Sequence, residues 1–584
     1  MRHFSVQLDN FSPHSTTGSF RFSEHVETII CTQIEEIIPG LQAIETAVAK
    51  GYHAAGFISY EAANAMDSVF KTRTQEELPL LCFGIFKRRE SIRKRNPADS
   101  IFQLSEFQPD ISKQDFNNAI SAIQNYIAVG DTYQVNYTFR LNGNFSGDIP
   151  SFYQYISRNQ KAEFCALIQM DQHSIVSASP ELFFRWEDGI LETRPMKGTA
   201  PRGRNNFEDK KNSQNLTTST KEKAENVMIV DLLRNDMNRI SSPGTVHVAK
   251  LFEVEKYETV LQMTSTVRSE LPRETAFSDI FKALFPCGSI TGAPKIRTME
   301  IIKNLENSAR GIYTGTIGFY SPGPEAVFSV AIRTALVNHY KKSIQVGIGS
   351  GITIGSNARD EWDECWIKSR FLTEKRPIFR LLETMRFEEE SGIFLLDAHL
   401  QRLLDSACYF QFLCPIENLR TSFANFVKST RMSSAKIRLL LASDGKYELQ
   451  FSSLKKSRSS GPVRLKICKI AVDRQDIFLF HKTTHREVYN SRLEKYSGCD
   501  DIILLNERGG ITETTIGNIV VQIGGKKFTP PIECGLLAGT LRQKLIDDGE
   551  VKEKIIHKDE LQSSEKIYRI NSVSGMQECV VLEG

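Results

Sequence analysis

Long apolar runs are missing from this 584-residue sequence, in which no stretch approaches the roughly 18–20 consecutive apolar residues that a membrane-spanning helix requires. Excess charge is missing too. The 73 basic residues face 70 acidic ones, and a net charge of +3 argues against nucleic acid or an anionic membrane surface as a partner. The basic run at Lys87-Arg88-Arg89 and Arg93-Lys94-Arg95 therefore reads as a solvated loop. No CxxC pair occurs among the eleven cysteines scattered from Cys31 to Cys579. Such an odd, unpatterned set suits reduced thiols in a cytoplasmic protein better than disulfides or zinc. Residues 1–23 lack the basic head and apolar run of a secretory signal. Internal repeats and low-complexity tracts are absent.

What is there is an ordinary globular composition, 40% hydrophobic and 24% charged, spread over a chain too long for one core. Two or more domains are expected. The break falls near residue 375: a helical stretch from Glu361 (EWDECWIKSRFLTEK) ends at Lys375-Arg376-Pro377, and a fresh strand pattern opens at 378–387. A charged turn and a second apolar run, Ile393-Phe394-Leu395-Leu396, complete an expected hairpin. Residues 455–461 (KKSRSSG) read as a joint between two smaller lobes. Before the break, long helical stretches such as 219–239 mix with β-rich runs such as 166–178 and 311–320, which is α+β.

Acidic residues recur near segment ends. Glu181 lies in SPELFF and Glu225 in KEKAENVMIVDLLRND, and Glu361 and Glu364 stand one helical turn apart, on one face. Hard carboxylate oxygens suit Mg²⁺, which keeps places for water and substrate oxygens. Spacing alone leaves open the plainer reading, acids on exposed helix faces. The run GIGSGITIG does not satisfy GxGxxG and is no dinucleotide loop.

Six phrases in order carry more: SPELF (179–183), RPMKGT (194–199), AENVMIVDLLRND (224–236), PCGSITGAPK (286–295), VAIRT (330–334) and GSGI (349–352). Together they resemble the chorismate-utilising enzymes, a family that includes anthranilate, isochorismate, salicylate and aminodeoxychorismate synthases. The resemblance covers nearly all of 110–372, more weakly GFISYEAANAMD (56–67). It implies a β-sandwich-like α/β domain over 1–374, with an N-terminal region (1–108) and a chorismate-binding core (109–374). It also implies Mg²⁺ at Glu225 and Glu364 with Glu361 close by. Arg333 would take a substrate carboxylate in a bidentate fork. Gly198, Thr199, Tyr313, Gly349, Ser350, Gly351 and Lys368 match the family's other substrate contacts. Isochorismate and salicylate formers carry a lysine where this chain has Gln134, and anthranilate synthases have alanine where it has Lys197; aminodeoxychorismate synthases of the common type have that lysine. Lys197 is then the nucleophile, provided its amine is neutral, and Glu181 the general acid. QMTS (262–265) departs from a HLxS motif of several relatives. No Gly-x-Cys-x-Gly elbow accompanies a His/Glu pair, so ammonia would come from a separate glutamine amidotransferase subunit or from solution.

The second part holds LLDAHLQRLLDSA (395–407), FLFHKTTHREVYN (478–490), ITETTIGNIVV (511–521) and GLLAGTLR (535–542). A pyridoxal-phosphate site needs a lysine to hold the aldehyde, an acid at the ring nitrogen and donors for the phosphate. Lys482, Glu513, and Arg402 with Thr540 and the amides near Gly517 and Asn518 supply each part. The wording resembles fold IV aminotransferases and lyases over 378–584, which implies a two-lobed domain at 375–584. Two departures stand out: the family's Gly-Asp-Gly turn ahead of Glu383-Thr384 is missing, and NSVSG (571–575) has Ser574 where many relatives have arginine. His399 reads as a packed or capping histidine. Taken together, the resemblances imply chorismate amination to 4-amino-4-deoxychorismate, then elimination of pyruvate to give 4-aminobenzoate. The alternatives are anthranilate-type chemistry in the first part, and a transaminase or a non-catalytic docking domain in the second.

Overall fold

A computed structural model describes residues 4–12, 18–92, 101–374, 376–454 and 461–582. Lys375, most of the expected joint at 455–461 and the basic residues 93–95 lie outside the described residues. The chain forms two compact units, Met1–Pro201 with Ser213–Lys375, and Arg202–Asn212 with Arg376–Gly584. Residues 202–212 thus belong to the second unit, although sequence order places them well inside the first part. All eleven cysteines are free, and among the described residues no helix is long and apolar enough to cross a membrane.

The first unit is built on antiparallel strands. Its organising pair is Gln134–Gly147 with Ser343–Ile352, in unbroken register from Ser343↔Asn144 to Ile352↔Val135. That register sets Gln134 beside Gly351. After a short turn, Asn357 caps the helix Ala358–Ser369 by accepting from the amides of Arg359 and Asp360. Trp362 of that helix stacks on Phe139 at 5.2 Å and 8°, which fixes the face carrying Glu361, Glu364 and Lys368.

A second pair, Met196–Pro201 with Val260–Glu270, slips register between Met196↔Thr264 and Thr199↔Gln262. Gly198 sits in this slip at φ +95°, a backbone that glycine adopts without strain. Such bulges re-aim a side chain, and here the side chain is Lys197. Ser219 caps the helix Thr220–Asn238, which buries Asn226, Ile229, Val230, Leu233, Asp236 and Met237 at helical spacing. Glu225 therefore stands beside a buried position.

Among its described residues the second unit has two sheets. In the smaller, Leu381–Glu388 pairs with Gly392–Ile393 and with Ser434–Leu441, which pairs in turn with Tyr447–Ser453; all are antiparallel. The expected hairpin forms, but its second strand stops at Ile393. Leu395 turns left-handed (φ 56°) and starts the helix Leu396–Phe410, so the apolar run 393–396 bends into a helix instead of extending a strand. Among the described residues the larger sheet has eight strands and is mixed, with Val463–Ile467 parallel to both Asp501–Leu505 and Gly575–Val581.

One close approach in the first unit bears on the site. A Cβ at Gly347 would lie 2.1 Å from Cγ of Tyr313, so the tyrosine ring lies flat on the bare backbone. Gly347→Ala should cost about 1–3 kcal/mol by overpacking and displace Tyr313. Denaturant unfolding checks the first effect, and the KM for the first unit's substrate checks the second.

Candidate active sites

In the first unit, the bulge carrying Lys197 is clamped from two sides. Asn226 Nδ2 donates to the Lys197 carbonyl (3.1 Å), while Asn226 Oδ1 accepts from Ser265 Oγ (2.6 Å). Gln262 donates to the Gly198 carbonyl (2.9 Å) and accepts from Thr199 Oγ1 (3.0 Å). The residue that departs from the relatives' histidine therefore locks the strand that carries Lys197. Lys197 is half-buried, with its amine beside the Gly351 backbone and the Gln134 amide. That loss of hydration is the largest influence and lowers its pKa; Lys368 acts in the same sense, and Glu225, Glu181 and Glu364 oppose it.

Glu181 is buried and accepts a hydrogen bond from Ser289 Oγ at 2.5 Å. Burial raises its pKa to about 7, with the Ser289 bond and Lys197 pulling the other way. A carboxyl poised there can give up a proton near neutral pH. Gln134 is the most telling residue. It is 0% exposed, yet neither its amide nitrogen nor its amide oxygen has a hydrogen-bond partner. A Cβ on Gly351 would lie 2.5 Å from Gln134 Nε2 and 2.7 Å from Lys197 Nζ. A buried, unsatisfied amide next to a lysine amine calls for a polar ligand.

Lys368 Nζ donates to the Gly349 carbonyl (3.0 Å) and pairs with Glu364 (2.6 Å). Burial opposes ionisation of Glu364, but Lys368 and then Lys197 outweigh it and hold the carboxyl below its ordinary range. Tyr313 is buried, and burial pushes its phenol up to about 12. Lys197, Glu181, Glu225, Glu364, Lys368, Gln134 and the Gly349–Gly351 backbone are thus gathered about one place. Glu361 is instead engaged by Ser350 Oγ. The Arg333 guanidinium donates to Gln160 and lies 5.9 Å over the Tyr257 ring. Among the described residues, no group of three His, Cys, Asp or Glu side chains could hold a metal alone. Mg²⁺ is commonly held by one or two carboxylates plus water and substrate oxygens, and Glu225 with Glu364 fits that pattern.

In the second unit, Lys482 follows a short 3₁₀ turn, Ile477–Leu479, capped by Asp476. Its carbonyl accepts from Leu382 N at 2.9 Å. Burial lowers the amine to about 8, helped by Arg402 and opposed by Glu383. Glu513 accepts from Tyr489 OH (2.8 Å), Asn518 Nδ2 (3.2 Å) and Leu537 N (3.3 Å). Burial nonetheless raises it to about 7. Arg402 is gripped by Glu383 through Nε (2.9 Å) and Nη2 (2.6 Å), and its Nη1 reaches the Ala538 carbonyl (3.0 Å).

Glu383 also accepts a hydrogen bond from Nδ1–H of His399 (2.7 Å), so a neutral His399 presents Nε2 as acceptor to the Thr540 hydroxyl (3.3 Å). Glu383 therefore ties Arg402 directly, and Thr540 through His399. Sequence reading assigned His399 no chemistry and did not single out Glu383; an acid in the strand before a His-x-x-Arg helix was the available signal. Gly517 N donates to Thr514 Oγ1 (3.1 Å), and the Asn518 amide serves Glu513 and the Leu537 carbonyl. Ser574 is exposed, its N–H held by Asn571 Oδ1 (2.8 Å).

Comparisons with known proteins divide the chain between two families. Residues 12–374 match the chorismate binding enzymes, and residues 380–581 match the class IV aminotransferases. Aminodeoxychorismate synthase component 1 of Salmonella typhimurium is 37% identical over 276 residues, 47% of this chain and 60% of that protein. Anthranilate synthase component 1 of Aquifex aeolicus is 35% identical over 292 residues, 49% of this chain and 59% of that protein. The chain thus spans about 60% of the length of the curated relatives it matches. The crystal structure of anthranilate synthase component I from Streptococcus pneumoniae superposes with a TM-score of 0.55 at 25% identity, covering 62% of this chain and 93% of that one.

Glu383 is almost fully buried, and Arg402 and His399 outweigh that burial to hold its carboxyl down at about 2. Glu383→Gln should cost about 3–5 kcal/mol, because Arg402 loses its charged partner. A depressed carboxyl stabilises the fold fully above its ordinary value of 4.5, and that gain is lost as pH falls through about 2. The stability gap between wild type and variant, read by denaturant unfolding, should therefore be widest above pH 4.5 and close towards pH 2.

Proposed function

The chain belongs to the chorismate-binding enzymes, with a class IV aminotransferase domain behind, and from that premise we propose that it makes 4-aminobenzoate from chorismate in two steps. The first step is amination to 4-amino-4-deoxychorismate, and the second is elimination of pyruvate. Ammonia would reach the first site from a separate glutamine amidotransferase subunit or from solution. The observation that carries the reading is the partly enclosed Lys197 amine beside the buried, partnerless Gln134 amide.

In the first unit, the lowered pKa of Lys197 supplies neutral amine, which adds at ring carbon C2. The ring double bonds shift, and the C4 hydroxyl leaves as water with a proton from Glu181, whose value near 7 leaves it protonated often enough to act. Ammonia then adds at C4, and the Lys197 nitrogen departs from C2 with its electron pair. Gln134 cannot deprotonate water as a lysine would, which disfavours hydroxylation at C2. Mg²⁺ held by Glu225 and Glu364 would neutralise a substrate carboxylate.

In the second unit, pyridoxal phosphate would be held covalently by Lys482, at its ring nitrogen by Glu513 and at its phosphate by Arg402 and the helix start at Thr540. Bound there, it would supply an electron sink for the carbon bearing the substrate amine. Lys482, lowered to about 8, is the base that takes the C4 proton. The C3–O ether bond then breaks, enolpyruvate leaves with the bond's electron pair and takes up a proton to become pyruvate, and the ring becomes aromatic.

Amination should fall as pH rises through about 7, where Glu181 loses its proton, and any fall at lower pH should follow protonation of the Lys197 amine, whose pKa is held below its ordinary value by burial. Glu181→Gln should lower the rate about 10²–10⁴-fold. The two halves should also fail separately. With chorismate, Mg²⁺, ammonia and pyridoxal phosphate, Lys482→Ala should accumulate 4-amino-4-deoxychorismate. Lys197→Ala should not aminate chorismate, yet should still convert supplied 4-amino-4-deoxychorismate. Product chromatography with coupled pyruvate measurement separates these cases. Anthranilate from the wild type would overturn the first assignment, and undiminished 4-aminobenzoate from Lys482→Ala the second.

A further inference from the structure

We infer that residues 202–212, which fall inside the chorismate-binding match, are a positioning element of the class IV unit and set the place of Lys482 through His481. The inference rests on the reading of Lys482 as the cofactor lysine. The segment follows directly on the strand Met196–Pro201, and its first turn is closed by two carboxylates. Asp209, fully buried, accepts from Gly203 N (2.8 Å) and from Arg202 Nε (3.0 Å) and Nη2 (2.8 Å). Glu208 accepts from Arg204 N (2.8 Å) and from its guanidinium. Only glycine lets the turn close, since a Cβ at Gly203 would lie 2.4 Å from Glu208 Cβ and 2.5 Å from Asp209 N.

The closed turn is gripped on two sides. Arg202 Nη2 donates to the Tyr409 carbonyl (2.8 Å) with its guanidinium 4.4 Å over the Tyr409 ring, and Tyr409 OH donates to the Gly203 carbonyl (2.7 Å). Tyr409 belongs to the helix Leu396–Phe410, which also carries Arg402. On the other side, the Arg204 guanidinium lies 4.7 Å over Phe480, and the Arg204 carbonyl faces His481 Nε2 at 3.2 Å. Phe480 and His481 immediately precede Lys482.

A carbonyl opposite Nε2 requires that nitrogen to carry the proton, so Nδ1 accepts from Ser406 Oγ (2.9 Å). The ring also stacks on Tyr409 at 4.4 Å. Burial pushes the imidazole down to about 3, so it stays neutral and acts as a fixed spacer, not a proton carrier. The residue before Lys482 is thereby locked, through one imidazole, between the 202–212 turn and the helix that bears Arg402. Displacing a reacting group by about 1 Å costs on the order of 10²-fold in rate, so a shift of this spacer should register in catalysis.

The test uses the full chain carrying Gly203→Ala or the milder Tyr409→Phe, which removes one hydrogen bond. Two quantities are read well below each variant's melting temperature. One is kcat for pyruvate release from supplied 4-amino-4-deoxychorismate. The other, in protein stripped of cofactor, is the pH midpoint for modification of Lys482 by an amine-selective reagent, mapped by mass spectrometry. Positioning requires kcat to fall about 10–100-fold. It also requires the midpoint to rise from near 8 towards 10.5 as Lys482 leaves its enclosure. If Gly203→Ala does not fold, Tyr409→Phe decides, with a smaller shift in the same directions. Wild-type kcat and midpoint in a folded variant would overturn the inference, leaving 202–212 as a stabilising contact only. Lys482→Ala serves as the control: if it still retains borohydride-fixed cofactor, the reading of Lys482 fails, whatever the 202–212 variants do.

Discussion

Everything chemical in this protein depends on the cost of keeping an ammonium ion away from water. Lys197 and Lys482 are the covalent residues of the proposed reactions, and for both the largest influence is loss of hydration, which drives each towards the neutral amine. A lysine in water would be protonated at neutral pH and useless as a nucleophile. Carboxylates close by limit the effect: Glu225, Glu181 and Glu364 at the first lysine, Glu383 and Glu513 at the second. The same loss of hydration works in reverse on Glu181 and Glu513, both raised to about 7. Each site therefore pairs an amine made easier to deprotonate with a carboxyl made harder to ionise.

The scaffold meets that cost by fixing backbone before side chain. In the first unit a register slip at Gly198 turns Lys197, and Asn226 and Gln262 hold the turned strand. In the second, Lys482 lies between the amide of Leu382 and the imidazole of the preceding residue. The groups proposed to hold the cofactor phosphate are handled alike, since Glu383 orients Arg402 and, through His399, Thr540. Both amide atoms of the buried Gln134 lack a protein partner beside the Lys197 amine, which makes it the clearest mark of a polar ligand's place.

Local features were legible in the sequence. The helical stretch expected over 219–239 forms as Thr220–Asn238, and the three-residue spacing of Glu361 and Glu364 puts both on the helix Ala358–Ser369. Ordered motif wording carried Glu181, Lys197, Lys482 and Glu513. What stayed hidden depends on contacts between distant residues. Gln262 registered only as a departure from relatives, because its partners Gly198 and Thr199 lie on another strand. His399 looked like packing because its partner Thr540 is over a hundred residues away. The apolar run 393–396 fitted a strand as well as a helix start, and a left-handed Leu395 decided between them. Nothing in composition or periodicity could have shown that residues 202–212 leave their sequence neighbours for the other unit.

Whether Lys197 is the nucleophile bears on the account most directly, and mass spectrometry of the full chain answers it. The protein is mixed with chorismate and Mg²⁺ without ammonia, quenched and digested. The peptide bearing Lys197 should carry the mass of chorismate less water, ammonia should discharge it, and Lys197→Ala should carry nothing. An unmodified Lys197 peptide, under conditions where adding ammonia starts turnover, would contradict the account.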